Sequence, residues 1–274
     1  MHKLTRTCTV LLLAAIVAAP AAHGACRALF ADGPELWITN ADGDATRLLR
    51  EERDVAMARF SPDRERIAYV RGFDLTGEVM SHIVVMRPGS EETVEIPIRA
   101  ELGITDVMNL GWLDEKRVWT EGHVTPSSGM YHEWDVATGK VLTERLGAWF
   151  APSPDGASLA YREHVPHGAP ASLGDRVLVN ERVVFPADDD TRPHRVRGIT
   201  WSGSGQLTVA DEVGGERSNV VVDLRRGGAS RRVTVQSNGS AAAARKPMYV
   251  DLATHRLIDE ASATTVEPLD LICD

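Results

Sequence analysis

Cysteine is nearly absent from this 274-residue sequence, aromatic residues make up only 5% of it, and sustained helical periodicity is missing. Three cysteines cannot supply a four-thiolate zinc site or the dense disulfide framework of a small secreted domain. Beyond the N-terminal segment no apolar run approaches the roughly 20 residues that a spanning helix needs, so no membrane span is expected. Basic residues are also short, with 30 Lys and Arg against 39 Asp and Glu and a formal charge of −9. Such a surface repels phosphate backbones, which argues against a nucleic-acid partner. The sequence has no phosphate-binding glycine loop, dinucleotide fingerprint, His-Glu-x-x-His helix or Gly-x-Ser-x-Gly elbow. No catalytic residue set and no cofactor are therefore expected.

What is present begins with an export-type leader. His2, Lys3 and Arg6 precede an apolar run from Thr9 to Ala19, and Pro20, Ala21, Ala22, His23, Gly24 and Ala25 supply small residues for cleavage after Gly24 or Ala25. Residues 1–25 read as a signal peptide and 26–274 as the mature chain, periplasmic or secreted. Acylation of Cys26 as a lipoprotein is the minor alternative, because His23 stands where such signals want a branched apolar residue. Loss of Lys3 and Arg6 moves the formal charge from −9 to −11. Cys8 leaves with the leader. Cys26 and Cys273 remain near the two ends, and in an oxidising compartment they are natural partners; the alternative is two unpaired thiols.

The mature chain repeats a phrase. Ala58-Arg59-Phe60-Ser61-Pro62-Asp63 followed by Ile67-Ala68-Tyr69-Val70 returns as Trp149-Phe150-Ala151-Pro152-Ser153-Pro154-Asp155-Gly156 followed by Leu159-Ala160-Tyr161. Weaker copies run through Trp112-Leu113-Asp114 and Trp201-Ser202-Gly203-Ser204. Proline presets φ for the first corner of a turn and aspartate caps its free amides, so each phrase reads as strand, turn, strand. Second hairpins follow at Leu36–Asn40 with Ala41-Asp42-Gly43-Asp44, at His82–Met86, at Tyr131–Asp135, at Val177–Asn180 and at Val220–Asp223. The residues before their turns, 40, 86, 135, 180 and 223, are 46, 49, 45 and 43 apart. That period matches a four-stranded propeller blade of about 40–45 residues.

Asn40-Ala41-Asp42-Gly43, Phe60-Ser61-Pro62-Asp63 and Ile67-Ala68-Tyr69 resemble the TolB-type β-propeller repeat, a relative of the WD repeat. The likeness is close over 36–72 and 149–161 and partial elsewhere. It implies an all-β fold, a β-propeller of four-stranded antiparallel blades, with six blades (one reduced) or five. Nothing here corresponds to the additional N-terminal domain of TolB. The chain starts at what reads as the second strand of a blade, Arg27–Phe30, and the missing first strand is expected from Val266–Cys273. Pairing of the two ends would close the ring, set Cys26 beside Cys273 and remove exposed sheet edges.

Chemistry-bearing residues are few. His164, His167 and His194 are candidate ligands for a divalent ion, with solvated loop residues as the plainer reading. Asp188-Asp189-Asp190 reads as an exposed acidic loop, and Asn40–Asp44 as a hairpin turn rather than a calcium loop. The six tryptophans lie in strand phrases and are expected in the packing between blades. Gly122–Met130 and His164–Gly174 read as loops longer than a hairpin needs, which makes His123, Tyr131, His164 and His167 candidates for a recognition rim. The favoured function is a monomeric, non-enzymatic, exported scaffold with a protein partner in the cell envelope. The rivals are a small carbohydrate-active hydrolase or lyase with an acidic central cleft, and a peptide- or metal-binding module.

Overall fold

The structure, a computed structural model, describes residues 26–72, 78–125, 128–166, 168–170, 173–226, 229–233, 248–258 and 265–273. The leader read at 1–25 and His167 lie outside the described residues. Apart from two single-turn 3-10 segments at Ala100–Leu102 and Leu224–Arg226, the regular structure is strand, and the sheets are antiparallel.

Strands β1 (Cys26–Asp32), β2 (Glu35–Thr39) and β3 (Ala45–Arg50) form the first sheet together with the last strand, β22 (Asp270–Cys273), in the order β22-β1-β2-β3. The last described strand thus pairs with the first. Cys26 stands opposite Cys273 in the register, and a disulfide joins them. The second sheet runs β4 (Val55–Phe60), β5 (Ile67–Arg71), β6 (Val79–Met86) and β7 (Thr93–Arg99) in chain order.

Separate four-stranded units were expected next, and the structure differs. Strands β8 (Asp106–Trp112), β9 (Arg117–Thr125), β10 (Ser128–Asp135), β11 (Val141–Pro152), β12 (Leu159–Glu163), β13 (Val177–Val179) and β14 (Arg182–Phe185) form one seven-stranded sheet. β11 serves two units: its first half pairs with β10 up to Gly147, and from Gly147 onward it pairs with β12. The reason lies in Glu144-Arg145-Leu146-Gly147-Ala148, which contains no turn pair. Gly147 permits the crossing, because a Cβ there would sit 2.6 Å from the carbonyl oxygen of Arg162. The fifth unit is β15 (Arg195–Trp201), β16 (Gln206–Val213), β17 (Glu216–Asp223) and β18 (Ala229–Val233). A three-stranded sheet of β19 (Tyr249–Asp251), β20 (Arg256–Ile258) and β21 (Thr265–Val266) completes the described strands. Its hairpin turn reaches the first sheet, where the His255 ring stacks on Trp37 at 4.0 Å.

The core lies in seams between units. β5 shows how a continuous apolar run is used on both faces: Ile67 and Tyr69 enter the seam with the first sheet, while Ala68 and Val70 enter the seam with the third unit. The second–third seam is aliphatic, with Ile83, Val85, Ile96 and Ile98 against Leu110 and Val118. The fourth–fifth seam sets Val177, Val179 and Phe185 against Leu207, Val209 and Val220. Between the third and fourth units the material changes to Tyr131, Phe150, Tyr161 and Leu178, flanked by Trp119.

The repeated phrase makes the turns it announces. The Ser61 hydroxyl bonds to the Asp63 carboxylate and accepts from the Arg66 amide at 2.9 Å, and Ser153, Asp155 and the Ser158 amide at 2.9 Å repeat the arrangement. Those hydroxyls are the leading cause of the lowered pKa of both aspartates. At the other kind of turn, Asn40 Oδ1 accepts from the amides of Asp42 at 2.9 Å and Asp44 at 3.0 Å, so that oxygen closes a turn. Successive units are latched at the Ser-Pro-Asp level. Trp112 Nε1 donates to the Arg59 carbonyl at 3.1 Å, and Trp201 Nε1 donates to the Ala151 carbonyl at 2.7 Å. Each carbonyl lies two residues before its turn serine.

Candidate functional site

The first strands of four consecutive units carry the same irregularity. The register slips around Met57 in β4, Met108 in β8, Trp149 in β11 and Arg197 in β15. A bulge of this kind turns one side chain out of the alternation and frees backbone groups from the ladder. Met57 and Trp149 adopt positive φ, 49° and 56°, a region that bulky residues rarely occupy. Met57 packs against the aliphatic seam. Met108 and Trp149 face outward, 39% and 47% exposed, and Arg197 is exposed beside Glu212. The expectation that the tryptophans lie in packing holds for Trp134, which is buried, and is corrected for Trp149.

Glu121 of β9 explains how the Trp149 bulge is held. It is buried, its Oε2 accepts from Asn109 Nδ2 at 2.8 Å, and the Trp149 backbone N–H lies close enough to act on its carboxylate. Burial pushes the Glu121 carboxyl above its ordinary range, and these two donors pull it back. One side chain of β9 thus bonds the bulged strand β8 and faces the bulge of β11.

The residues singled out from sequence fall at several places. His123 is half-buried inside β9, and its carbonyl accepts the Thr105 amide at 2.7 Å. The segment read as a loop over Gly122–Met130 is mostly strand, with Thr125 opposite Ser128. His164 Nδ1 lies 2.6 Å from Ser128 Oγ, which brings His164 to the strand that also pairs with His123. His194 is buried elsewhere, with Nδ1 2.9 Å from Asp211 and Nε2 3.3 Å from Asp190. Arg192 is the leading cause holding Asp190 well below the usual carboxylate range. Among the described residues no group of three or more His, Cys, Asp or Glu side chains is placed to hold a metal ion. Tyr131 is buried in the aromatic seam, where its ring lies 5.8 Å from Trp119 and 5.5 Å from Phe150. It borders a cavity of 280 Å³ near the Ser153 turn, away from His123 and His164. Sequence reasoning missed Glu121, Asn109 and Met108, for which no motif exists; a positive-φ Trp leaves no sequence signal either.

No protein-family model matches the chain, and no curated protein matches it in sequence. Solved structures do resemble it. TolB from Acinetobacter baumannii matches at 16% identity and a TM-score of 0.46, over 78% of this chain and 54% of that one. Tricorn protease matches at 14% identity and a TM-score of 0.51, over 72% of this chain and 20% of that one. The β-propeller domain of the Trilobed protease from Pyrococcus furiosus matches at 12% identity and a TM-score of 0.41, over 77% and 80%. The chain therefore spans about half the length of TolB. At these identities the likeness bears on fold alone, and with the succession of antiparallel sheets it fits a β-propeller.

Proposed function

We propose that this is an exported, non-enzymatic β-propeller that binds a protein partner through the surface carrying the four bulges. The ring is read as six-bladed with a reduced sixth blade, five being the alternative, and as closed by the pairing of β1 with β22. The Cys26–Cys273 bridge supports that closure and is compatible with an oxidising compartment, periplasmic or extracellular. A bridge across so long a loop contributes about 5 kcal/mol in the chain-entropy account. The observation that carries the binding function is the Trp149 bulge. A tryptophan 47% exposed on a positive-φ residue is locally unfavourable, yet it is kept, with the buried Glu121 carboxylate beside its backbone. Strain kept up by a dedicated partner points to use, and exposed Trp and Met are the anchors that interfaces favour. In a propeller the first strands line the central opening, so Met108, Trp149 and Arg197 present one apolar and basic rim to an incoming segment.

The test is crosslinking capture from cell-envelope extracts with the wild-type protein and with Trp149→Ala combined with Met108→Ala. Both side chains are exposed, so the variant should keep the wild-type melting curve. The expected result is a defined protein recovered by the wild type and reduced at least about 10-fold by the variant. Equal recovery by both would remove the bulge surface from the proposal. Hydrolysis of a glycan substrate with no partner recovered would overturn the scaffold reading itself.

A further inference from the structure

We propose that the 280 Å³ cavity at the turn end of the aromatic seam is a binding site for a neutral polyhydroxylated ligand the size of a single sugar ring. Three observations converge on it, and none depends on the bulge surface.

The first is a pair of idle hydroxyls. Tyr131 is 2% and Tyr161 7% exposed as whole residues, both border the cavity, and their hydroxyls, which have no hydrogen-bond partner among the described residues, open to its solvent. Largely buried tyrosine rings that turn their hydroxyls to an open cavity present groups that can both donate and accept. Two idle phenols at one cavity define where a ligand's polar groups belong.

The second is a turn that breaks its own rule. Asn180 and Glu181 form the two-residue turn between β13 and β14, with φ of 47° and 69° and Val179 opposite Arg182. Positive φ at both positions is the primed hairpin turn, whose second position strongly prefers glycine. Glutamate at that position is sterically costly, and its carboxylate lies at the cavity, 2.6 Å from Arg145. A side chain kept where the backbone wants none is the kind of local inconsistency that marks a site.

The third is the charge balance of the lining. The guanidinium groups of Arg117 and Arg145 are matched by the carboxylates of Glu133 and Glu181, with Arg117 2.7 Å from Glu133. A cation would meet the arginines, and an anion would meet the glutamates. Guanidinium donors, carboxylate acceptors and phenols that do both suit vicinal hydroxyls, each of which also donates and accepts. Leu113 and Leu159 give the same cavity an apolar wall for a ring's C–H face. The volume lies just below the usual range for drug-sized ligands, so one ring fits and a chain does not.

The experiment is calorimetric titration with glucose, galactose, mannose and N-acetylglucosamine, against glucuronate, glucosamine and alanine as charged and zwitterionic comparators. At least one neutral sugar should saturate in the millimolar range, with each comparator at least about 10-fold weaker. Tyr131→Phe combined with Tyr161→Phe keeps both rings and should weaken that sugar about 10-fold. Glu181→Gly should raise the melting temperature, by relieving the turn, while it weakens the sugar about 5-fold; a purely structural residue would not move the two in opposite senses. The proposal is overturned if no neutral sugar saturates, if a comparator binds more tightly, or if both variants bind like the wild type. Partner capture at Trp149 would be untouched by that failure.

Discussion

Where the second sheet meets the third unit, Ile83, Val85, Ile96 and Ile98 lie against Leu110, Val118 and Trp134; where the third meets the fourth, Tyr131 lies against Phe150, Tyr161 and Leu178. Aliphatic side chains, with Trp134 among them, fill most of the first seam. Flat rings stack in the second, with centroids 5.5 and 5.6 Å apart along the Tyr131–Phe150–Tyr161 row, and leave polar edges at both ends. One end carries Glu121 and the Trp149 bulge, the other the cavity. The second seam is also the one crossed by a continuous strand, β11, so there the backbone ladder joins the two units as well as the side chains. The contrast teaches that the same repeat can join its units with aliphatic side chains at one seam and with aromatic rings at the next.

The largest expected effect breaks the aliphatic side of that contrast. Leu110 is 2% exposed at the centre of its seam, and Leu110→Ala should cost about 3 kcal/mol by lost transfer energy and an unfilled cavity. Tyr131→Phe in the other seam removes a hydroxyl with no partner and should change stability by less than about 0.5 kcal/mol. Urea titrations of both variants, with unchanged m-values, measure the difference. Comparable losses would mean the aromatic seam carries as much of the fold as the aliphatic one.

Some of this was legible in the sequence and some was not, for physical reasons. Ser61-Pro62-Asp63 and Ser153-Pro154-Asp155 are local devices, closed by atoms within five residues, so their turns could be read directly. The pairing of Cys26 with Cys273 followed from the phase of the repeat, which set the strand that the first sheet lacked. The cavity joins Arg117, Tyr131, Arg145 and Glu181, contributed by β9, β10, β11 and the β13–β14 turn. No local pattern records that convergence, and Tyr131, which reads from sequence as the first residue of its strand beside a loop, lies inside β10. Trp149, like the other tryptophans, lies in a strand phrase that reads as packing, and only the register slip shows which way it turns.

A smaller effect sharpens the contrast from inside the aliphatic seam. His132 of β10 is fully buried near Trp134 and opposite Thr120 and Glu144, and neither ring nitrogen has a hydrogen-bond partner. Burial pushes its pKa below the ordinary value near 6.5, and the field of Glu144 on β11 opposes that shift. As pH falls through 6.5, the unfolded chain takes up a proton that the folded chain refuses, so stability contributed by the neutral ring is present above pH 6.5 and lost below it. His132→Leu should gain about 1 kcal/mol at pH 7 and more at pH 5, flattening the pH dependence between them. Parallel pH profiles for variant and wild type would show that His132 is not the group responsible.

The smallest effect compares the two Ser-Pro-Asp turns. Residue four of the phrase has positive φ in both, 62° at Arg64 and 65° at Gly156. Gly156 borders the cavity and is pressed against the neighbouring unit, where a Cβ would sit 2.7 Å from the Leu113 carbonyl oxygen, so glycine is required there. The Ser61 turn accepts a side chain at Arg64 at the left-handed backbone cost. Arg64→Gly should relieve that cost, partly offset by the added freedom of the unfolded chain, for a net gain of about 0.5 kcal/mol. A rise in melting temperature of about 1 to 2 °C in a matched thermal scan is the expected reading. A loss instead would mean that the Arg64 side chain, not its backbone angle, is what the first turn has kept.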